Sequence, residues 1–128
     1  MRLLVCGSRD ITDEILIEKE ILKVLPSDKL NTIIHGGARG VDKCAGTVAL
    51  KHQIDAIVFN PYWETYGKSA GIIRNKRMLE QGKPDKVLAI WDGQSSGTNN
   101  MVQISRKAGI PVVVVIVVEG KVLEERIW

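Results

Sequence analysis

The chain has 128 residues, of which 45% are hydrophobic and 26% are charged, and its formal net charge is +3. This length is enough for one domain that buries a core without disulfides or a structural metal. The mild positive charge allows an anionic ligand, but it falls short of the dense basic surface expected of a dedicated duplex-binding protein.

The cysteines and the apolar stretches indicate where the protein works. Cys6 and Cys44 are the only cysteines and lie in apolar-periodic segments, so we interpret them as reduced core residues of an intracellular protein. The longest apolar stretch, residues 110–118, is about half the roughly 20 residues that a membrane-spanning helix needs. No secretory signal pattern opens the chain. We therefore expect a soluble cytoplasmic protein without a membrane partner.

Apolar, strand-like runs alternate with helical patterns along the chain. The near-continuous hydrophobicity of these runs is typical of parallel strands covered on both faces. Strands are predicted at residues 3–6, 32–35, 56–59, 86–90 and 111–118. The helices between them are predicted after a Thr12 cap, from about Val41, over about residues 69–81, and up to a stop at Gly109.

A turn at residues 119–120 leads into a last predicted strand over residues 121–127. Residues 1–128 are therefore predicted to form one doubly wound α/β domain, with a mainly parallel, Rossmann-like sheet and a C-terminal β-hairpin. Ligands of such sheets bind beyond the carboxyl ends of the strands. The loops at residues 7–10, 36–42, 60–64 and 91–99 follow the first four strands, and we expect them on one rim.

The run HGGARGVD at residues 35–42 joins a predicted strand to a helix. Backbone N–H groups and the helix dipole favour an anion there, and the guanidinium of Arg39 suits a phosphate. The alternative is a tight turn that needs glycine at positive φ. The run matches neither the dinucleotide fingerprint nor the P-loop pattern, which disfavours a standard NAD site and an NTPase. The ligand-binding residues predicted in this run are Gly36, Gly37, Ala38, Arg39, Gly40 and Asp42.

Three further places can contribute to the same site. Ser96, Gly97 and Thr98 open the last helix, where they can hold phosphate or ribose or form an ordinary cap. Asp92 can accept ribose hydroxyls or close a turn. Arg74 with Asn75 lies near the start of the third helix, and we favour a functional role for the pair over a solvated surface.

Tyr62, Trp63 and Tyr66 cluster in the loop before the third helix. They can stack on a nucleobase, or they can form a hydrophobic lid or a dimer contact. His35 is interpreted as a hydrogen-bonded residue at a strand end. No residue set has the spacing of a metal site, a Ser-His-Asp triad or a Cys-His pair, so we expect neither metal catalysis nor acyl transfer.

Together these residues resemble the SLOG superfamily and, within it, the small YspA-like group. The resemblance covers about residues 1–115. It implies a Rossmann-like domain that senses or processes a nucleotide ligand, such as an NAD derivative, with no required cofactor. The matching motifs are Gly7-Ser8-Arg9, the turn at residues 36–42, AGIIRN at residues 70–75, Trp91-Asp92-Gly93 and Ser96-Gly97-Thr98.

Two better-known families share parts of this pattern. The DNA-processing protein A family, which binds single-stranded DNA, has a similar turn, a similar R-N-R helix and a similar S-G-(S/T) helix start in the same order. The LOG-type phosphoribohydrolases cleave the N-glycosidic bond of nucleoside monophosphates with an arginine, matched by Arg74, and a glutamate. Met101 stands where that glutamate is expected. Glu64, in a neighbouring loop, could take over the glutamate's role only in an arrangement new to that family.

We therefore expect a nucleotide-binding or sensing module in which the glycine-rich turn holds phosphate and Ser8 and Arg9 close one side. The alternatives are a nucleoside monophosphate N-glycosidase with Arg74 as its catalytic residue, and a single-stranded nucleic-acid binder. Uncovered sheet edges and the resemblance to these families imply a homodimer or a larger homo-oligomer.

Overall fold

The computed structural model describes residues 1–128, which contain one six-stranded sheet. Its strand order is β3-β2-β1-β4-β5-β6, with β1 to β5 parallel and β6 antiparallel to β5. This is the predicted Rossmann-like α/β fold with its C-terminal hairpin. The strands are β1 (Arg2–Gly7), β2 (Thr32–His35), β3 (Asp55–Val58), β4 (Lys86–Trp91), β5 (Val112–Val118) and β6 (Lys121–Ile127).

Helices cover both faces of the sheet. They are α1 (Glu14–Val24), α2 (Val41–Lys51), α3 (Trp63–Tyr66), α4 (Ala70–Gly82) and α5 (Ser96–Lys107), and a 3₁₀ turn at Gly67–Ser69 joins α3 to α4. None of these helices is long and apolar enough to cross a lipid bilayer.

The alternation of β1 places its side chains in two separate cores. Leu3 and Val5 belong to a buried cluster with residues of α1 and α2, whereas Leu4 and Cys6 belong to a second cluster with residues of α4 and α5. Successive side chains of a strand point to opposite faces, so a continuous apolar run supplies both cores. The strand order runs outward from β1 to β3 on one side and from β4 to β6 on the other, so the switch point between β1 and β4 lies at the centre of the sheet.

Three local predictions were wrong. The N-cap of α1 is Asp13 and not Thr12, since the Asp13 carboxylate accepts the N–H of Leu16 at 3.1 Å. Residues 63–68, taken as loop, form α3 and most of the 3₁₀ turn. The third strand is not covered on both faces, because β3 is an edge strand and all four of its side chains are exposed.

The two thiols are free, with Cys6 buried and Cys44 partly exposed. Burial raises the pKa of the Cys6 thiol, which keeps it protonated. His52 is exposed, and its Nε2 lies 3.6 Å from Glu18 Oε1.

Candidate functional site

The loops after the first four strands meet at the carboxyl edge of the sheet, beside the switch point between β1 and β4, as predicted. They enclose a cleft of about 520 Å³, within the usual range for small-molecule sites. The predicted site residues that line the cleft are Gly7, Arg9, Ala38, Arg39, Asp42, Arg74, Asn75, Ser96, Gly97 and Thr98. The others, Ser8, Gly36, Gly37, Gly40 and Asp92, do not line the cleft.

Several backbone N–H groups of the glycine-rich turn donate hydrogen bonds to acceptors within the chain. The N–H groups of Gly36 and Ala38 donate to Asp42 Oδ2 at 3.1 and 3.2 Å, and that of Gly37 donates to His35 Nδ1 at 3.1 Å. The N–H of Val41 donates to the carbonyl of Ser8. Four of the backbone donors that made this run a predicted anion site, those of Gly36, Gly37, Ala38 and Val41, are therefore already engaged within the chain.

Two glycines of the turn are required by the backbone. Gly37 and Gly40 have φ of +70° and +81°, a region that side chains rarely tolerate. A Cβ at Gly40 would also lie 2.5 Å from the carbonyl oxygen of Ser8. The turn interpretation thus accounts for both of these glycines.

Asp42 closes this turn from the first turn of α2. Burial raises its pKa to about 6, although the N–H groups of Ala38 and Gly36 and the charge of Arg74 act in the opposite direction. The second carboxylate oxygen, Oδ1, makes no hydrogen bond within the chain. Oδ1 is not fully buried, because the one fully buried side-chain oxygen or nitrogen without a partner is Asn31 Oδ1. Since Asp42 lines the cleft, its Oδ1 is open to the cleft.

Arg74 projects from α4 into the cleft and is only 9% exposed. Its Nε donates to Asn75 Oδ1 at 3.0 Å, and its Nη1 donates to the carbonyl of Gly36. Burial lowers its pKa and the nearby carboxylate of Asp42 raises it, and an arginine remains charged at neutral pH. Nη2 has no partner in the chain and is not fully buried, so one donor end of the guanidinium faces the cleft.

His35 is the hydrogen-bonded strand-end residue that the sequence predicted. It is buried, and burial together with the charge of Arg74 lowers its pKa. Its Nδ1 accepts the N–H of Gly37, which is the behaviour of a neutral imidazole.

Asn75 connects α4 to the first turn of α5. Its Nδ2 donates to the carbonyl of Gly97 at 3.2 Å and to Asn100 Oδ1 at 3.0 Å. Because its Oδ1 accepts from Arg74, this buried amide holds the guanidinium and the start of α5 in one arrangement.

The N-terminus of α5 opens into the cleft without a side-chain cap. Its N-cap residue, Ser95, makes no capping bond, because Ser95 Oγ lies 3.1 Å from Ser8 Oγ and from both carboxylate oxygens of Asp92. The first N–H groups of a helix have no partner inside the helix. Those of Ser96, Gly97 and Thr98 therefore lie at the positive end of the α5 dipole, beside the cleft.

Ser8 and Asp92 shape the loop that precedes α5. Ser8 Oγ accepts the N–H of Asp92 at 2.9 Å, and Asp92 Oδ1 accepts the N–H groups of Gln94 and Ser95, each at 2.8 Å. Partial burial raises the pKa of Asp92, but these bonds outweigh it and hold the pKa below its usual value. Both side chains are thus engaged in positioning the loop.

Thr98 is 5% exposed, yet its hydroxyl makes no hydrogen bond within the chain. It lines the cleft, so the hydroxyl is directed at the space where a ligand would lie. The hydroxyl oxygen is not fully buried, so it can be reached from the cleft and is free to bond to a ligand.

The charged residues of the cleft are mostly basic. Four basic and two acidic side chains line it, namely Arg9, Arg39, Lys68 and Arg74 with Asp10 and Asp42. Arg39 and Asp10 lie 3.4 Å apart at the mouth and are both largely exposed, so this pair is weak. The balance of charge favours an anionic ligand.

The glutamate of the phosphoribohydrolases has no equivalent in the cleft. Met101 is fully buried and lines the floor. Glu64 is exposed on α3 and does not reach the cleft, whose two carboxylates are Asp10 and Asp42.

Among the polar lining residues, the sequence analysis did not single out Lys68 and Asn100. Asn100 lies four residues after Ser96, so helical spacing along α5 was a signal for it. Lys68 lies on the 3₁₀ turn that the sequence did not predict, and no sequence pattern indicated its position.

The fold and the cleft define a Rossmann-like protein with a polar, basic cleft at the switch point of its sheet. The chain belongs to the YspA, cpYpsA-related SLOG family, whose family model matches residues 1–66. It is also similar to the gene 61 protein of Mycobacterium phage D29, with 34% identity over 118 residues, which is 88% of this chain and 94% of the phage protein. The resemblance expected from the sequence is confirmed at the level of the family.

Proposed function

We propose that this protein binds a nucleotide or a nucleotide-derived small molecule, such as an NAD derivative, through a phosphate group, as a sensing or ligand-binding module without a required cofactor. The observation that carries the proposal is the convergence of three unused donors in one cleft. They are the uncapped N-terminus of α5, the hydroxyl of Thr98 and Nη2 of Arg74.

These donors match the chemistry of a phosphate. Helix N-termini bind anions through N–H groups and the dipole, and a guanidinium adds a charge-assisted hydrogen bond. We therefore place the phosphate at α5 rather than on the turn of residues 36–42, because the N–H groups of Gly36, Gly37 and Ala38 are bonded to Asp42 and His35. Arg9, Arg39 and Lys68 would attract the anion from the mouth of the cleft.

A binding role is favoured over hydrolysis because Met101 cannot activate water or stabilise an oxocarbenium-like charge. The N-glycosidase alternative predicts release of free base from a nucleoside monophosphate, and Arg74→Ala would abolish that release. The single-stranded nucleic-acid alternative predicts that an oligonucleotide binds more tightly than any mononucleotide, with an affinity that falls steeply with salt.

The test compares Thr98→Val with Thr47→Val in thermal-shift and calorimetric titrations. The ligands are inorganic phosphate, AMP, ADP, ADP-ribose, NAD and a short single-stranded oligonucleotide. Thr47 is an exposed residue of α2 whose hydroxyl bonds only to the carbonyl of Lys43, so it is a matched control. At about 100 times its Kd a ligand should stabilise the fold by roughly 2.7 kcal/mol.

Thr98→Val should leave the melting temperature of the free protein nearly unchanged, because the hydroxyl has no partner to lose. It should weaken the phosphate-bearing ligand by about 10-fold or more, the usual effect of a hydrogen bond to a charged group. Equal affinities of wild type and Thr98→Val, or no response to any phosphate-bearing ligand, would contradict the proposal.

The proposal extends to the assembly and the compartment of the protein. β3 and β6 form the two edges of the sheet, and the side chains of both strands are exposed. We propose a cytoplasmic homo-oligomer, dimeric or larger, in which such an edge can be covered. Sedimentation velocity that finds only monomer at about 100 μM would contradict the oligomer.

A further inference from the structure

We propose that the indole of Trp63 is the stacking face for the base of the bound nucleotide. The inference rests on the proposed function, because it assumes a ligand whose phosphate lies at α5. The inference adds to that function a residue that lets the protein bind nucleotides more tightly than sugar phosphates.

The position of Trp63 supports this assignment. Trp63 is the first residue of α3 and lines the cleft, with 49% of its surface exposed. Its Cη2 atom lies 3.8 Å from the position that a Cβ on Gly71 would take, so the ring sits over the first turn of α4. Gly71 and Arg74 are three residues apart and share one face of that helix. The indole and the guanidinium thus border the same stretch of the cleft.

The other aromatics are placed differently. The Tyr62 ring is covered by Arg77, whose guanidinium carbon lies 4.7 Å from the ring centroid. Neither Tyr62 nor Tyr66 lines the cleft. Trp91 donates its Nε1–H to the carbonyl of Ser95 and does not line the cleft either. Of the aromatic residues, Trp63 is the one whose ring reaches the ligand space.

The surroundings of Trp63 fit a flat, uncharged ring at one end of a charged ligand. Ile72 lines the cleft next to Gly71, so an apolar side chain borders the space near the indole. The phosphate donors belong to α5 and Arg74. A nucleotide has this polarity, with an apolar base face at one end and a phosphate at the other. Stacking on an aromatic ring changes the affinity of a base by about 5- to 150-fold.

The experiment measures Kd by calorimetry for ribose 5-phosphate and for the four common nucleoside 5′-monophosphates. The proteins are wild type, Trp63→Ala, Trp63→Phe and, as a control, Tyr66→Ala, which removes an exposed aromatic ring from the same short helix. Melting temperatures check that each variant is folded, and Trp63→Phe keeps an aromatic face if Trp63→Ala does not fold.

We expect at least one nucleotide to bind wild type more tightly than ribose 5-phosphate does. Trp63→Ala should remove that advantage, about 5- to 150-fold, and leave the Kd of ribose 5-phosphate unchanged. Trp63→Phe should keep part of the advantage and Tyr66→Ala all of it. Equal binding of nucleotides and ribose 5-phosphate, or an equal loss for both with Trp63→Ala, would overturn the stacking role alone. Failure of wild type to bind any of these phosphates, together with ADP, ADP-ribose and NAD, would overturn the proposed function as well.

Discussion

Asn75 Nδ2 donates to the carbonyl of Gly97 at 3.2 Å and so ties α4 to the first turn of α5. The same amide accepts the Nε–H of Arg74, which makes Asn75 the connection between the guanidinium and the helix N-terminus of the candidate site. Asn75 and Gly97 are 22 positions apart, and each belonged to a separate motif in the sequence.

Replacement of Asn75 by alanine should destabilise the fold by about 1–3 kcal/mol, because it leaves Arg74 Nε without an acceptor and Asn100 Oδ1 without a donor. Urea unfolding measures the loss. Asn99→Ala is the control on α5, since Asn99 is exposed and its side chain contacts only Gln103, at 3.5 Å. It should change the stability by less than about 0.5 kcal/mol. Similar losses for both variants would argue against the bridging role.

Asp42 should give the stability a distinctive pH dependence. Its pKa is raised from 3.8 to about 6 in the folded state, so the folded protein holds the proton more tightly than the unfolded chain does. The stabilisation linked to this proton is complete below about pH 4 and is lost as the pH rises through about 6, by an amount on the order of 3 kcal/mol.

Asp42→Asn keeps an oxygen that can accept the N–H groups of Gly36 and Ala38 but cannot titrate. The free energy of unfolding should therefore fall between about pH 4 and pH 7 in wild type relative to Asp42→Asn. Chemical denaturation at five or six pH values measures the difference. Parallel curves for the two proteins would show that the pKa of Asp42 is not raised.

Arg74→Lys tests the shape of the guanidinium separately from its charge. A lysine cannot donate hydrogen bonds to the Gly36 carbonyl, Asn75 Oδ1 and a phosphate at the same time, because it has no planar fork of donors. We expect weaker binding of the phosphate-bearing ligand and a lower melting temperature. Arg77→Lys is the control from the same helix, because Arg77 does not line the cleft. It should change the ligand Kd by less than about twofold, and an equal effect of both changes would contradict the role of Arg74.

Glycine at position 7 is required by packing. A Cβ on Gly7 would overlap the carbonyl oxygen of Ile90 and lie 2.6 Å from Val41 Cγ2. Gly7→Ala should cost about 1–3 kcal/mol, whereas Gly97→Ala, where no atom lies within 4 Å of the new Cβ, should be neutral or slightly stabilising. Differential scanning calorimetry compares the two, and a stable Gly7→Ala variant would contradict the close approach.

Much of the fold could be predicted from the sequence because secondary structure and burial leave a local pattern. The unbroken apolar run Leu3–Cys6 indicated a strand with a core on each face, and the structure assigns alternate residues to two cores. The polar loops after the strands indicated the rim at which the cleft lies, since parallel strands end on the same side. α3 was missed because a four-residue helix has no period to detect.

The composition of the candidate site was thus determined by the sequence, and which of its donors are free was decided by the tertiary structure. The sequence predicted free N–H groups both in the turn at residues 36–42 and at the start of α5. Only the fold shows that Asp42 and His35 accept the N–H groups of Gly36, Gly37 and Ala38. It also shows that the Ser95 hydroxyl bonds to Ser8 and Asp92 and does not cap α5. The physical reason is that a donor pairs with an acceptor that the fold brings within reach, however far apart the two are in sequence; the Ser95–Ser8 contact joins residues 87 positions apart.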